Sequence, residues 1–266
     1  MLICRSLFRK TDRIIPLLFV FLFFSLATPP FAAPADRKLT AAVVAGFMSP
    51  FQEIAAAFEK ETGISIDVSF TSAGRIYAQI ENGAPYDIFL SADVERPALL
   101  YGKSLCEKPF VYAEGEVILW SADRRFCTSA GWQEALQRKE IQKIAIPNPQ
   151  TAVHGTHAKK ALEEAGLWKD LAPKLVVAQD IAQVFQYATI GAVDGAFCSS
   201  SHARTPPGQK GCFYTMNEAA PVVYSACVLS NSSRKDEARR FAEFLRSPAA
   251  LQVKNKYGYR ETPKSK

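Results

Sequence analysis

From Lys38 to Asp93 the chain alternates strand-like and helix-like segments, and that alternation limits the fold more than any other feature of the sequence. "KLTAAVVA" (Lys38 to Ala45) reads as a buried strand. "SPFQEIAAAFEKETG" then reads as a helix, with Ser49 as N-cap, Pro50 at the first helical position, Gln52 closing a capping box and Gly63 ending it. "ISIDVSF" alternates Ile64, Ile66, Val68 and Phe70 on one face of a strand. A helix from Arg75 to Asn82, a turn at Gly83-Ala84-Pro85 and the strand "DIFLSA" follow. Such a βαβαβ run predicts a mostly parallel sheet with helices on both faces, and ligands beyond the carboxyl ends of its strands. The three turns leaving those ends are Ala45-Gly46, Thr71-Ser72-Ala73-Gly74 and Ser91-Ala92-Asp93, all built from small residues.

A second series begins near Glu116. "EVILWSA", "KIAIPN", "KLVVAQ" and "VDGAFCSSS" read as strands, "HGTHAKKALEEAGLW" as a helix ended by Gly166, and Asp180 as the N-cap of another. "APVVYSACVLS" is a further strand, and Ala238, Phe241 and Leu245 share one face of a late helix. A chain that crosses over near Glu114 to Glu116 and returns near Ala219 to Val222 forms two lobes, 36–115 plus 220–266 and 116–219, with a cleft between them.

Arg5, Arg9, Lys10 and Arg13 precede the apolar run "IIPLLFVFLFFSLAT", and Ala33-Pro34-Ala35 gives a small-x-small site. This is the pattern of a secretory signal peptide over residues 1–35, cleaved near Ala35, and it predicts an exported, periplasmic protein. The apolar run is shorter than the ~20 residues of a membrane span. Cleavage leaves 28 basic against 25 acidic residues, a net charge of +3. A basic stripe with interleaved aromatics is absent, which excludes the usual nucleic-acid footprint. Five cysteines remain, Cys106, Cys127, Cys198, Cys212 and Cys227, so at least one lacks a partner; Cys106 with Cys127 is the first expected pair.

Helix N-termini expose unpaired N–H groups and about half a positive charge, so several aimed at one cleft make an anion site without a lysine. The candidates follow Gly46, Ser72-Ala73, His154-Gly155 and Asp180. Small residues at a single strand-to-helix turn need mean no more than tight packing; four in a two-lobe chain point to a shared ligand. Asp87, Asp93, Trp120, Trp132 and Trp168 read as capping or packing residues, and Arg75, Tyr77 and Tyr224 as structural groups near a rim. With no G-x-S-x-G elbow and no H-E-x-x-H helix, the alternative of an exported hydrolase has only the lone cluster "CSSSHA".

"FQEIAAAFEKETG", "NPQTAVHGTHAKKALEEAGLW", "PKLVVAQDIAQVFQYATIGAVDGAF" and above all "QIENGAPYDIFLSAD" resemble the periplasmic molybdate-binding proteins over about residues 38–260. The resemblance implies a type II periplasmic binding protein fold, two α/β lobes with a hinge and a central ligand cleft. It implies a monomeric, non-enzymatic receptor without a cofactor. Such a receptor holds molybdate or tungstate and hands it to a membrane ABC permease driven by a cytoplasmic ATPase. The positions matching the family's ligand set are Gly46, Ser72, Ala73, His154, Ile181 and Cys198. Gly46, Ala73 and Cys198 stand where typical members offer hydroxyls, and each lost hydrogen bond to a charged ligand costs about 1.5 to 3 kcal/mol. If protonated, His154 would add a charge beside the anion and its pKa would rise above ~6.5. The same fold with another oxyanion, or with a soft metal on His154, His157 and Cys198, is the alternative.

Overall fold

The computed structural model describes residues 38–260. β1 (Leu39–Val44) runs into a 3-10 turn (Ala45–Phe47) and α1 (Met48–Thr62); β2 (Ile66–Thr71), α2 (Ala73–Glu81), β3 (Ile88–Ser91), α3 (Glu95–Gly102) and β4 (Phe110–Gly115) follow. One residue later β5 (Val117–Ser121) enters a second sheet, followed by α4 (Trp132–Gln137), β6 (Ile144–Pro147), α5 (Val153–Glu164), α6 (Trp168–Leu171), β7 (Leu175–Ala178), α7 (Ile181–Thr189), β8 (Gly195–Ser199), α8 (Ser200–Ala203) and β9 (Cys212–Thr215). β10 (Val222–Val228) returns to the first sheet, and α9 (Lys235–Phe244) and α10 (Pro248–Lys256) close the chain.

The two sheets have orders β2-β1-β3-β10-β4 and β7-β6-β8-β5-β9. Each is mixed, which corrects the expectation of a mostly parallel sheet. β1 pairs in parallel with β2 and β3, and β6 with β7 and β8, but β10 and β5 pair antiparallel with both neighbours. The reason is topological. β10 enters the first sheet from the second, so it runs against β3, and β5, leaving β4 directly, meets β8 the same way. The chain passes from the first sheet to the second where β4 becomes β5. A Cβ at Gly115 would stand 3.0 Å from the Tyr259 ring and 3.1 Å from that of Tyr224, so glycine lets these aromatics pack closely over the crossing.

α1 begins earlier than its capping signals predict. Phe47 is its N-cap with no side-chain bond, and Ser49 lies inside the first turn. The preceding 3-10 turn has already wound the backbone, and Pro50 is tolerated because N–H groups of a first turn have no intrahelical acceptor. The other end is as expected: Gly63 adopts φ 72° and its N–H reaches Glu59 O at 2.8 Å. Phe51 and Phe58 of α1 pack edge-on against Phe241 of α9, at 5.7 and 5.1 Å between ring centres. Ala238, Phe241 and Leu245 are fully buried together.

Asp87 and Asp93 have the structural roles expected of them. Asp87 accepts from the Thr40 N–H and the Ser232 hydroxyl, and Asp93 accepts from the Arg96 N–H and pairs with its guanidinium. The disulfide joins Cys127 to Cys212. It replaces the expected Cys106–Cys127 pair because Cys106 bridges to Leu229 beside β10 of the first sheet, whereas Cys127 follows β5 of the second.

Candidate functional site

A small cavity lies at the strand ends between the two sheets. Its walls are the openings of four helical segments: Val44 and Ala45, Ser72 and Ala73, Val153 and His154, and Asp180 and Ile181. Ala92, beyond β3, completes it. The first N–H groups of a helix have no carbonyl one turn back, so four such starts concentrate donors and positive dipole ends in one place. The volume is about 20 Å³, little more than a water occupies by this measure.

Each start is held by the local sequence. Ser72 is the N-cap of α2 in extended conformation, and its carbonyl accepts from Arg75 N and Ile76 N. Its hydroxyl is buried and, among the described residues, has no hydrogen-bond partner. Asp180 caps α7 as predicted, one carboxylate oxygen accepting from Ala182 N and Gln183 N. That carboxylate oxygen is thereby tied to the helix start. α5 starts at Val153, so His154 sits inside its first turn, not ahead of it. Gly155 is obligatory there, because a Cβ would lie 2.0 Å from Pro147 O.

His154 Nε2 lies 3.1 Å from the Tyr224 hydroxyl, a bond from α5 to β10 between the two sheets. Burial, and then the neighbouring His157 and His202, push its pKa down to about 3. The imidazole is therefore neutral, contrary to the protonated form considered from sequence, and the buried Tyr224 hydroxyl is held well above its usual range. Other bonds also tie the two halves together. Gly46 O accepts from the Ser201 hydroxyl at 3.1 Å and the Tyr259 hydroxyl at 2.7 Å, and Gly74 N donates to Thr151 O at 2.9 Å.

Of the predicted set, Ser72, Ala73, His154 and Ile181 come together around this cavity. Gly46 stands beside them, a Cβ on it falling 3.2 Å from His154 Cε1 and 3.4 Å from Ile181 Cγ2, whereas Cys198 does not join them. Gly46 also borders a larger neighbouring cavity, and Ala45 lines both. Cys198 is packed among Ile118, Trp120, Ala145 and Val184, and burial pushes its thiol up and away from ionisation. The metal alternative fails with it. His157 Nδ1 lies 2.9 Å from Ala220 O, and among the described residues no group of three His, Cys, Asp or Glu could hold an ion.

Two features escaped the sequence. Tyr224 is 70 positions from His154, and no local signal joins them. The larger cavity, about 660 Å³, is bounded by Met48, Gln52, Phe185, Gln186, His202 and Pro207 among others. Its one acidic side chain, Glu53, is taken up by Lys256 and Tyr257, and burial pushes the His202 pKa down to about 4. It presents no positive partner for an anion.

The chain matches the model of the family described as bacterial extracellular solute-binding protein over residues 39–260. It is 32% identical over 227 residues to the molybdate-binding protein ModA of Rhodobacter capsulatus, covering 85% of this chain and 89% of that one. It is likewise 32% identical over 232 residues to ModA of Azotobacter vinelandii, covering 85% and 91%. The solved structure of the Azotobacter vinelandii periplasmic molybdate-binding protein superimposes with a TM-score of 0.79 at 28% identity, covering 85% of this chain and all of that one.

Proposed function

The chain belongs to the bacterial extracellular solute-binding proteins, a family of receptors rather than enzymes, and from that premise we propose that it captures a tetrahedral oxyanion, molybdate or tungstate, in the small cavity. The observation that carries this is the Ser72 hydroxyl, buried without a partner at a cavity walled by four helix starts. An orphaned buried hydroxyl costs about 1 to 3 kcal/mol. A bound oxyanion would remove that cost by accepting from it. The N–H groups at Ala45, Ala73, His154 and Ile181 supply the remaining donors, and a neutral His154 adds none of the charge that would also attract other anions.

A four-oxygen dianion exceeds the present volume, so the two lobes part to admit it and close around it. The lobes are 36–115 plus 220–266 and 116–219, moving about the β4–β5 crossing and the return into β10. The protein acts as a monomer in the periplasm after cleavage near Ala35, a segment outside the described residues, and delivers its ligand to an ABC permease with a cytoplasmic ATPase. Calorimetric titration of ligand-free protein with molybdate, tungstate, sulfate and phosphate tests this. Molybdate and tungstate are expected to bind and sulfate to bind far more weakly, being smaller at equal charge. Binding of none of the four would refute the assignment.

A further inference from the structure

Among the described residues, Cys106, Cys198 and Cys227 stand outside the disulfide, and two of them are neighbours. The segment after α3 runs antiparallel to the end of β10, with Glu107 N donating to Val228 O at 2.8 Å and Ser230 N to Leu105 O at 2.9 Å. These bonds bracket the Cys106–Leu229 bridge, which makes it a close, non-hydrogen-bonded pair of the ladder. Cys227 is two residues from Leu229 and on the same face, so it lies diagonally across from Cys106. The two thiols are in direct contact, with the Cys106 thiol also reaching Pro97 O at 3.5 Å, and both are buried. Cys198 is remote, in the core of the second sheet.

We propose that Cys106 and Cys227 are the site of a second disulfide, made by a disulfide oxidant such as oxidised glutathione. The Cys106 thiolate attacks one sulfur of the oxidant, forming a mixed disulfide and expelling one glutathione thiolate. The Cys227 thiolate then attacks Cys106 Sγ and expels the second, so two protein thiols are oxidised as one glutathione disulfide is reduced to two thiols. Cys106 is 4% exposed and Cys227 fully buried, so the oxidant reaches Cys106 first. The bond closes a loop of roughly 120 residues, and long loops gain most from such a constraint. That loop contains the whole second sheet. The staple therefore fixes the first sheet where its two separate chain segments meet, independently of the ligand cavity.

The full-length protein would be refolded from urea with oxidised glutathione, alkylated, digested and mapped by mass spectrometry. A cross-linked Cys106–Cys227 peptide is expected, with Cys198 recovered alkylated. The Tm should exceed that of the same protein with this bond reduced by about 5 to 10 °C. Cys227→Ala should abolish both changes, and Cys198→Ala neither. Recovery of Cys106 and Cys227 as alkylated thiols, as separate glutathione adducts, or bonded to other cysteines would overturn the proposal.

Discussion

The two cavities between the sheets share a wall at Ala45 and differ in kind. The larger, about 660 Å³, has the size of an organic-ligand pocket, yet it is lined by no lysine or arginine and its one carboxylate is already paired. The smaller, about 20 Å³, is bounded by four helix starts and an orphaned serine hydroxyl. Volume favours the first as a site and electrostatics the second. For a small, doubly charged ligand, electrostatics decides, because desolvating an anion costs far more than filling apolar space returns.

Gly155→Ala acts only on the small cavity. Its new Cβ meets Pro147 O and forces the start of α5 away, costing about 3 kcal/mol of stability in urea denaturation and most oxyanion binding with it. Ser72→Ala should weaken molybdate binding by about 10- to 150-fold, equivalent to about 1.5 to 3 kcal/mol, without lowering the Tm of the ligand-free protein. Stability loss with unchanged affinity would assign Ser72 to packing instead.

The histidines compare the two cavities directly, His154 beside the small one and His202 beside the large. Both are neutral when folded and take up a proton near pH 6.5 when unfolded, so the unfolded state binds more protons as pH falls. Stability should be fully present above pH 6.5 and decline toward pH 3 to 4, by up to about 1.4 kcal/mol per pH unit for each group. His154→Gln and His202→Gln should each flatten the profile of urea midpoints against pH, and a profile unchanged in both would remove burial as the cause. Tyr224→Phe deletes the hydroxyl that bonds His154 and should cost about 1 kcal/mol, read as a lower urea midpoint. Gln186→Leu, in the larger cavity, is expected to leave molybdate affinity within about twofold, so a larger loss would move the site there.

The helix starts were legible because small residues at strand ends, the Asp180 cap and the stretch around Ser72 are local signals. Boundaries were less so. The 3-10 turn begins at Ala45, one residue before Gly46, and α5 opens at Val153, before His154. The placement of Cys198 depends on sheet packing that no local pattern encodes. The Tyr224–His154 bond and the true disulfide link segments far apart in the chain, so they become visible only once the return of β10 is known. The mixed sheets follow from the same return.

If backbone N–H groups at the four helix starts hold the ligand, the ¹⁵N–¹H resonances of the protein report it as molybdate is added. Large shifts at the amides of Ala45, Ala73, His154 and Ile181, with little change at Gln186 and Thr189, are the predicted result. Shifts centred on Gln186, Thr189 and His202 with the four helix starts unmoved would contradict it.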